Sequence, residues 1–186
     1  MRSPQTLSEV DRRVVAAWAA DCAERVLALF EAEAPGDNRP RDLIARARAF
    51  ARGEVDVADE IRRRFAGGAA RDVTTPAAVA AAQAAGQAVA IPHMGAHALG
   101  AAAYAAKAAG LAAPDRPEVV NEEVRWQLDH MSPEVRTALR QLPCPIGRGK
   151  RQNKAVGNQL QAIVHGNACH DDLELFKRGG LFTRTG

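Results

Sequence analysis

The sequence predicts an all-α fold: one bundle of about seven helices around an alanine-rich central pair, with a peripheral C-terminal tail. Three observations carry this expectation. Apolar residues recur at three- and four-residue steps, and the β-branched and aromatic residues do not alternate as a strand requires. Cap-then-proline pairs, Thr75-Pro76 and Ser132-Pro133, mark helix starts. The stretch Pro76–Gly110, PAAVAAAQAAGQAVAIPHMGAHALGAAAYAAKAAG, is mostly alanine and carries a single charge, Lys107. Alanine combines the best helix propensity with the smallest packing side chain, so this stretch reads as helices sheathed at close range by others that supply the bulk.

Ser8 with Asp11 resembles a capping box. Behind it Val10, Val14, Trp18, Cys22, Val26 and Phe30 recur every four residues, predicting one amphipathic helix over Glu9–Glu33 with Arg12, Arg13, Glu24 and Glu31 on its polar face. Ala34–Pro40 (APGDNRP) is a turn in which Asp37 or Asn38 caps the next helix and Pro40 occupies its first turn. Leu43, Ile44, Ala47, Phe50 and Ala51 mark that helix's inner face, and Gly53 is its stop. A third helix over Val55–Ala66 sets Val57, Ile61 and Phe65 opposite Arg62, Arg63 and Arg64, a solvated basic face.

The alanine stretch breaks near Ile91-Pro92, giving helices over Ala77–Ala90 and His93–Ala109. Asp115 and Pro117 start another, with Val120, Val124, Leu128 and Met131 as its stripe; Val135, Leu139 and Leu142 mark the last. These elements define a helical domain over 1–142. Residues 143–186 form a Pro/Gly-rich basic tail with short helical patterns around Val156, Leu160, Ile163 and Val164 and at Asp172–Lys177.

The net charge of +3 hides a split: residues 1–142 hold 18 Lys and Arg against 19 Asp and Glu, and the tail holds 7 against 3. The basic character belongs to the tail, which argues against a nucleic-acid partner for the domain. Cys22, Cys144 and Cys169 form no CxxC pair, and no charged-then-apolar leader opens the sequence, so a reducing cytoplasm is expected. The alanine stretch is too polar and too weakly apolar for a membrane span.

His93 and His97, four apart in H-M-G-A-H, share one helical face in this reading. They read as buried structural histidines, as a partner-facing pair, or as two metal ligands joined by a carboxylate such as Asp21. The general base of a zincin motif is missing, because Met94 follows the first histidine. Asp37, Arg39 and Arg41 place two arginines around a helix start, to pair with Asp21 or Glu24 or with a partner's acidic group. Trp126, with Glu122, Glu123 and Asp129 beside it, reads as an aromatic anchor in an acidic patch or as core. Cys22 lies on a core stripe where a thiol is inert. His165, Cys169, His170 and Asp171 could hold a metal only on paper.

Four segments in order, LSEVDRRVVAAWAADCAERVLALFE, DNRPRDLIARARAFARGE, AAGQAVAIPHMGAHALGAAAYAAKAA and EEVRWQLDHMSPEVRTALR, resemble the immunity-5-like group of immunity proteins from bacterial polymorphic-toxin systems. The resemblance spans Leu7–Leu142; the tail lies outside it. It implies an all-α, non-enzymatic cytoplasmic protein without cofactor that binds and neutralises a cognate toxin. The positions it carries over are Asp37, Arg39, Pro40 and Arg41 in the turn and His93 and His97 in the alanine run. Two other functions stand beside it: a metal-binding protein or enzyme centred on His93 and His97, and a homodimer paired through the alanine helices.

Overall fold

Ser8 opens the first helix, α1 (Glu9–Arg25), by accepting from the Asp11 N–H at 3.1 Å while its hydroxyl donates to the Asp11 carboxylate at 2.6 Å. The computed structural model describes residues 7–56, 68–143 and 164. Among the described residues six further helices follow: α2 (Leu27–Glu31), α3 (Arg39–Ala51), α4 (Pro76–Val89), α5 (His97–Ala112), α6 (Glu118–Asp129) and α7 (Pro133–Arg140). A 3-10 turn at Ala69–Arg71 precedes α4, and no strand occurs among the described residues. The fold is the all-α bundle that the periodicity predicts. Beyond Asp56, the helix expected over Val55–Ala66 lies outside the described residues, as do the tail segments apart from Val164.

The expected single helix over Glu9–Glu33 divides at Val26, whose backbone leaves the helical region at φ −108° and ψ 1°. The break turns Leu27 and Phe30 inward, and α2 packs on α4. Val10, expected on the buried stripe, is 72% exposed; the inner face is instead Val15, Trp18, Ala19, Cys22 and Ala23. Arg12, expected on the polar face, is buried. Helix α3 runs back along α1, so that Arg13 near the start of α1 donates to the carbonyl of Phe50 at the end of α3. Gly53 stops α3 with φ +79°, a left-handed conformation that suits glycine.

Thr75 caps α4 as expected, accepting from the Ala78 N–H, with Pro76 as the first helical residue. Glu33 strengthens this start from a distance of 41 residues in sequence. Its carboxylate accepts from the hydroxyls of Thr74 (2.8 Å) and Thr75 (2.6 Å) and from both backbone N–H groups. The Thr75 hydroxyl, followed by the Thr74 N–H, lowers the Glu33 pKa to about 2. A negative charge at a helix N-terminus is also favoured by the aligned backbone dipoles.

The most extensive contact in the fold joins α4 and α5. Ala81, Ala84, Ala85 and Ala88 of α4 and Ala98, Ala101, Ala105 and Ala108 of α5 are almost wholly buried. The bulk comes from their neighbours, with Phe30, Phe50, Ile91 and Leu139 fully enclosed, each contributing about 1.5–3 kcal/mol by leaving water. Helix α1 touches α3, α4, α5 and α7, and α6 lies against α5. In the tail, Val164 is buried and its carbonyl accepts from Arg140 Nε at 2.8 Å.

Two glycines in the alanine pair predict opposite outcomes. A Cβ at Gly110 would lie 2.5 Å from Val120 Cγ2, where α6 meets α5, whereas a Cβ at Gly86 would meet nothing within 4 Å. Urea unfolding should show Gly86→Ala stabilised by about 0.5–1 kcal/mol from helix propensity. Gly110→Ala should be destabilised by about 1–2 kcal/mol, because overpacking outweighs the same gain.

Candidate functional site

The arginines of α3 are engaged within the chain. Arg39 Nε contacts both oxygens of Asp37 at 2.8 and 3.0 Å, and its Nη2 reaches Asp72 at 2.6 Å. Asp37 also accepts from the Arg39 backbone N–H, taking the capping role beside Asn38. Arg41 pairs with Glu31 at 2.6 Å. Asp21 and Glu24, expected to meet the turn arginines, are both held by Arg48, at 2.7 and 2.6 Å. The antiparallel course of α3 explains the exchange: its start meets the end of α2, and Arg48, further along α3, is the arginine that reaches Asp21 and Glu24 on α1. The Arg39 guanidinium holds the Asp37 carboxyl below its ordinary range, and Arg48 does the same to Glu24. Exposed pairs of this kind are screened by water and salt and contribute little net stability.

The two histidines do not share a helical face. Pro92 and the turn behind it delay α5, so His97 is its first residue and His93 stays on the connecting turn. Buried Arg12 anchors this turn by donating to the Pro92 carbonyl at 2.5 Å. Leu7 packs on Gly95 so closely that a Cβ there would lie 2.5 Å from Leu7 Cδ1. His97 Nδ1 donates to Gln87 Oε1 at 2.8 Å, tying the start of α5 to the end of α4. His93 is exposed and His97 half-buried. Asp21, considered as a third metal ligand, is occupied by Arg48 on the α1–α3 face. Among the described residues, no group of three or more His, Cys, Asp or Glu side chains is arranged to hold a metal.

Helix α6 presents a polar inner face that the apolar stripe did not predict: Asn121, Glu123 and Gln127 are buried beside Val124. Glu123 meets Arg25 at 2.8 Å, Gln127 Nε2 donates to the Ala102 carbonyl at 3.0 Å, and Trp18 Nε1 donates to the Gln127 carbonyl at 2.9 Å. The expected acidic patch is therefore split, with Glu123 turned inward while Glu122 and Asp129 are exposed. Trp126 is half-buried; the Arg25 guanidinium lies 3.9 Å from its ring centre and His130 stacks on it at 4.0 Å. Cys22 is fully enclosed, and burial, then Glu123, pushes its thiol well above the usual range, as expected for an inert cysteine.

A pocket of about 220 Å³ opens between α3, the 3-10 turn, α4 and α5. Leu43, Ala69, Ala70 and Ala82 give it apolar walls. Gln83, Gly86 and Gln87 of α4 and Tyr104 of α5 complete it. It lies between two of the groups singled out from sequence. Gln87 is the partner of His97, and Leu43 stands one helical turn beyond Arg39. Sequence reasoning passed over Gln83, Gly86 and Tyr104. The available signal was the four-residue spacing of Gln83 and Gln87 in an alanine helix, together with the chain's single tyrosine on the next helix.

The fold and these groups define a helical scaffold whose turn residues are locked by short ion pairs and whose described helices include none long and apolar enough to cross a membrane. The chain belongs to the family described as Imm-5 like putative immunity protein, whose model matches residues 5–134. No curated protein and no solved structure matches it.

His97 makes the bundle sensitive to acid. Burial, then the neighbouring His93, holds its pKa below 6.5. The fold thus favours the neutral ring; its contribution is complete above about pH 6.5 and declines as pH falls toward the folded value. The melting temperature should fall between about pH 7.5 and 5, and the fall should be smaller in His97→Gln. Equal slopes in the two proteins would contradict this role.

Proposed function

We propose that this protein is a non-enzymatic immunity protein that acts in the cytoplasm by binding a cognate bacterial toxin and occluding it. The observation that carries this reading is the family match over residues 5–134, which covers α1 to α6 and enters α7. The architecture supports binding by a preformed surface. Buried anchors and intramolecular ion pairs fix side chains before any partner arrives, which lowers the ordering cost of association. Exposed charges around them speed encounter and set orientation. Asp37, Arg39 and Arg41, and His93 with His97, are the positions we assign to the toxin-facing surface, with Trp126 as a second anchor. The alternative of a metal centre at His93 and His97 lacks a third ligand among the described residues.

The test is co-expression with the product of a toxin-like gene neighbouring this one. Growth arrest should be relieved, and the two purified proteins should elute as one complex in size-exclusion chromatography. Continued arrest in cells that accumulate soluble, folded protein would refute the proposal.

A further inference from the structure

We propose that Leu7 is a releasable strap over the turn that carries His93 and His97, and that its seat takes a leucine-sized aliphatic side chain of the toxin once Leu7 has left. This names the regulation of the toxin-facing surface and rests on the immunity reading for the partner's identity. Leu7, at φ +64°, is the one non-glycine residue with a left-handed backbone among the described residues. A bulky side chain stays in that conformation only where its surroundings hold it, and such strain gathers at clamps and switches. Nothing local asks for it. Leu7 precedes the Ser8 cap of α1, where an apolar side chain ordinarily packs on the fourth residue of the helix. That residue is Arg12, which is drawn away to the Pro92 carbonyl. The left-handed backbone instead sends Leu7 across to Gly95, and there it is nearly buried.

The seat is shaped to that side chain. A Cβ on Gly95 would lie 2.5 Å from Leu7 Cδ1 and 2.6 Å from its Cγ, so the room exists because position 95 is glycine. The turn keeps its place without Leu7. Buried Arg12 holds the Pro92 carbonyl from α1, and the Gln87–His97 bond of 2.8 Å holds the start of α5 from α4. The Ser8 cap also survives, because its hydroxyl serves Asp11 and not Leu7. Release of Leu7 therefore leaves the seat standing, opens it in the turn that carries exposed His93, and relieves the backbone strain. An isobutyl-sized group on a relaxed backbone fills the same volume without that strain, so exchange favours the partner. The resident side chain itself sets the size and chemistry of the incoming one.

The first arm of the test needs no toxin. Leu7→Gly removes the resident side chain, and glycine adopts a positive φ freely, so the seat is left empty on an unstrained backbone. N-acetyl-leucinamide titrated into the full-length variant should give saturable NMR shifts at His93 and Gly95. The wild type should need about tenfold more probe, because its own side chain competes for the seat. N-acetyl-phenylalaninamide is the comparator and should bind more weakly. No saturable shift in Leu7→Gly, equal probe affinity in the two proteins, or tighter binding of the phenylalanine probe would overturn the proposal. So would a concentration-dependent dimer of Leu7→Gly that the probe dissociates, which would give the seat to a second copy of the chain.

The second arm measures affinity for the product of the neighbouring toxin-like gene, with the folding of each variant checked by circular dichroism. Leu7→Gly should bind it about three- to tenfold more tightly than the wild type, since no resident has to be displaced. Gly95→Ala, which closes the seat, should bind it about tenfold more weakly. Affinity unchanged or reduced in folded Leu7→Gly is what a merely structural Leu7 predicts, and it overturns the strap, as does unchanged affinity in folded Gly95→Ala. Leu7→Gly decides alone if Gly95→Ala does not fold. Failure of the wild-type chain itself to bind refutes the immunity reading, and the probe titrations still decide whether the seat exchanges its occupant.

Discussion

The alanine contact between α4 and α5 sets the dimensions of the rest of the fold. With methyl groups on both facing surfaces, the two helices pack closely and present few large side chains of their own. Bulk must then come from outside the pair: Phe30 from α2, Phe50 from α3, Ile91 from the connection and Leu139 from α7. The arrangement of α1, α2, α3 and α6 around the pair follows from that demand. Where α4 and α5 carry larger polar residues instead, at Gln83, Gln87 and Tyr104, the filling is incomplete and a pocket remains.

Polar groups hold this assembly in register at its ends. Glu33 fastens α2 to the start of α4, Arg12 fastens α1 to the α4–α5 turn, and the Gln87–His97 bond closes that turn from the other side. Arg25 and Glu123 join α1 to α6 under the Trp126 ring. Each joins elements far apart in sequence, so the surface offered to a partner is built from several helices at once. A stiff composite surface would suit the proposed occlusion, since a mobile one would lose affinity to ordering.

Much of the fold was legible in the residues because caps and periodicity are local. Ser8, Thr75-Pro76, Ser132-Pro133 and Gly53 act where their chemistry places them. The failures have a common cause in tertiary packing. The four-residue spacing ran straight through Val26, but burial of Leu27 and Phe30 required a break. Arg12 sits among polar residues in sequence, yet a carbonyl 80 residues away draws it inside. His93 and His97 have helical spacing, and Pro92 separates them all the same. For the candidate site, an internal partner for the turn arginines was foreseeable, but Asp72 as that partner was not, because nothing local links it to Arg39. The polar inner face of α6 was hidden behind its apolar stripe.

The measurement that bears most directly on this account is urea unfolding of Ala84→Leu and Ala105→Leu, one on each side of the central contact. If methyl-sized side chains are what let α4 and α5 pack, each substitution should cost about 2 kcal/mol or more, since a close-packed interface has no room for the added volume. Stability equal to or above that of the wild type in both variants would contradict it.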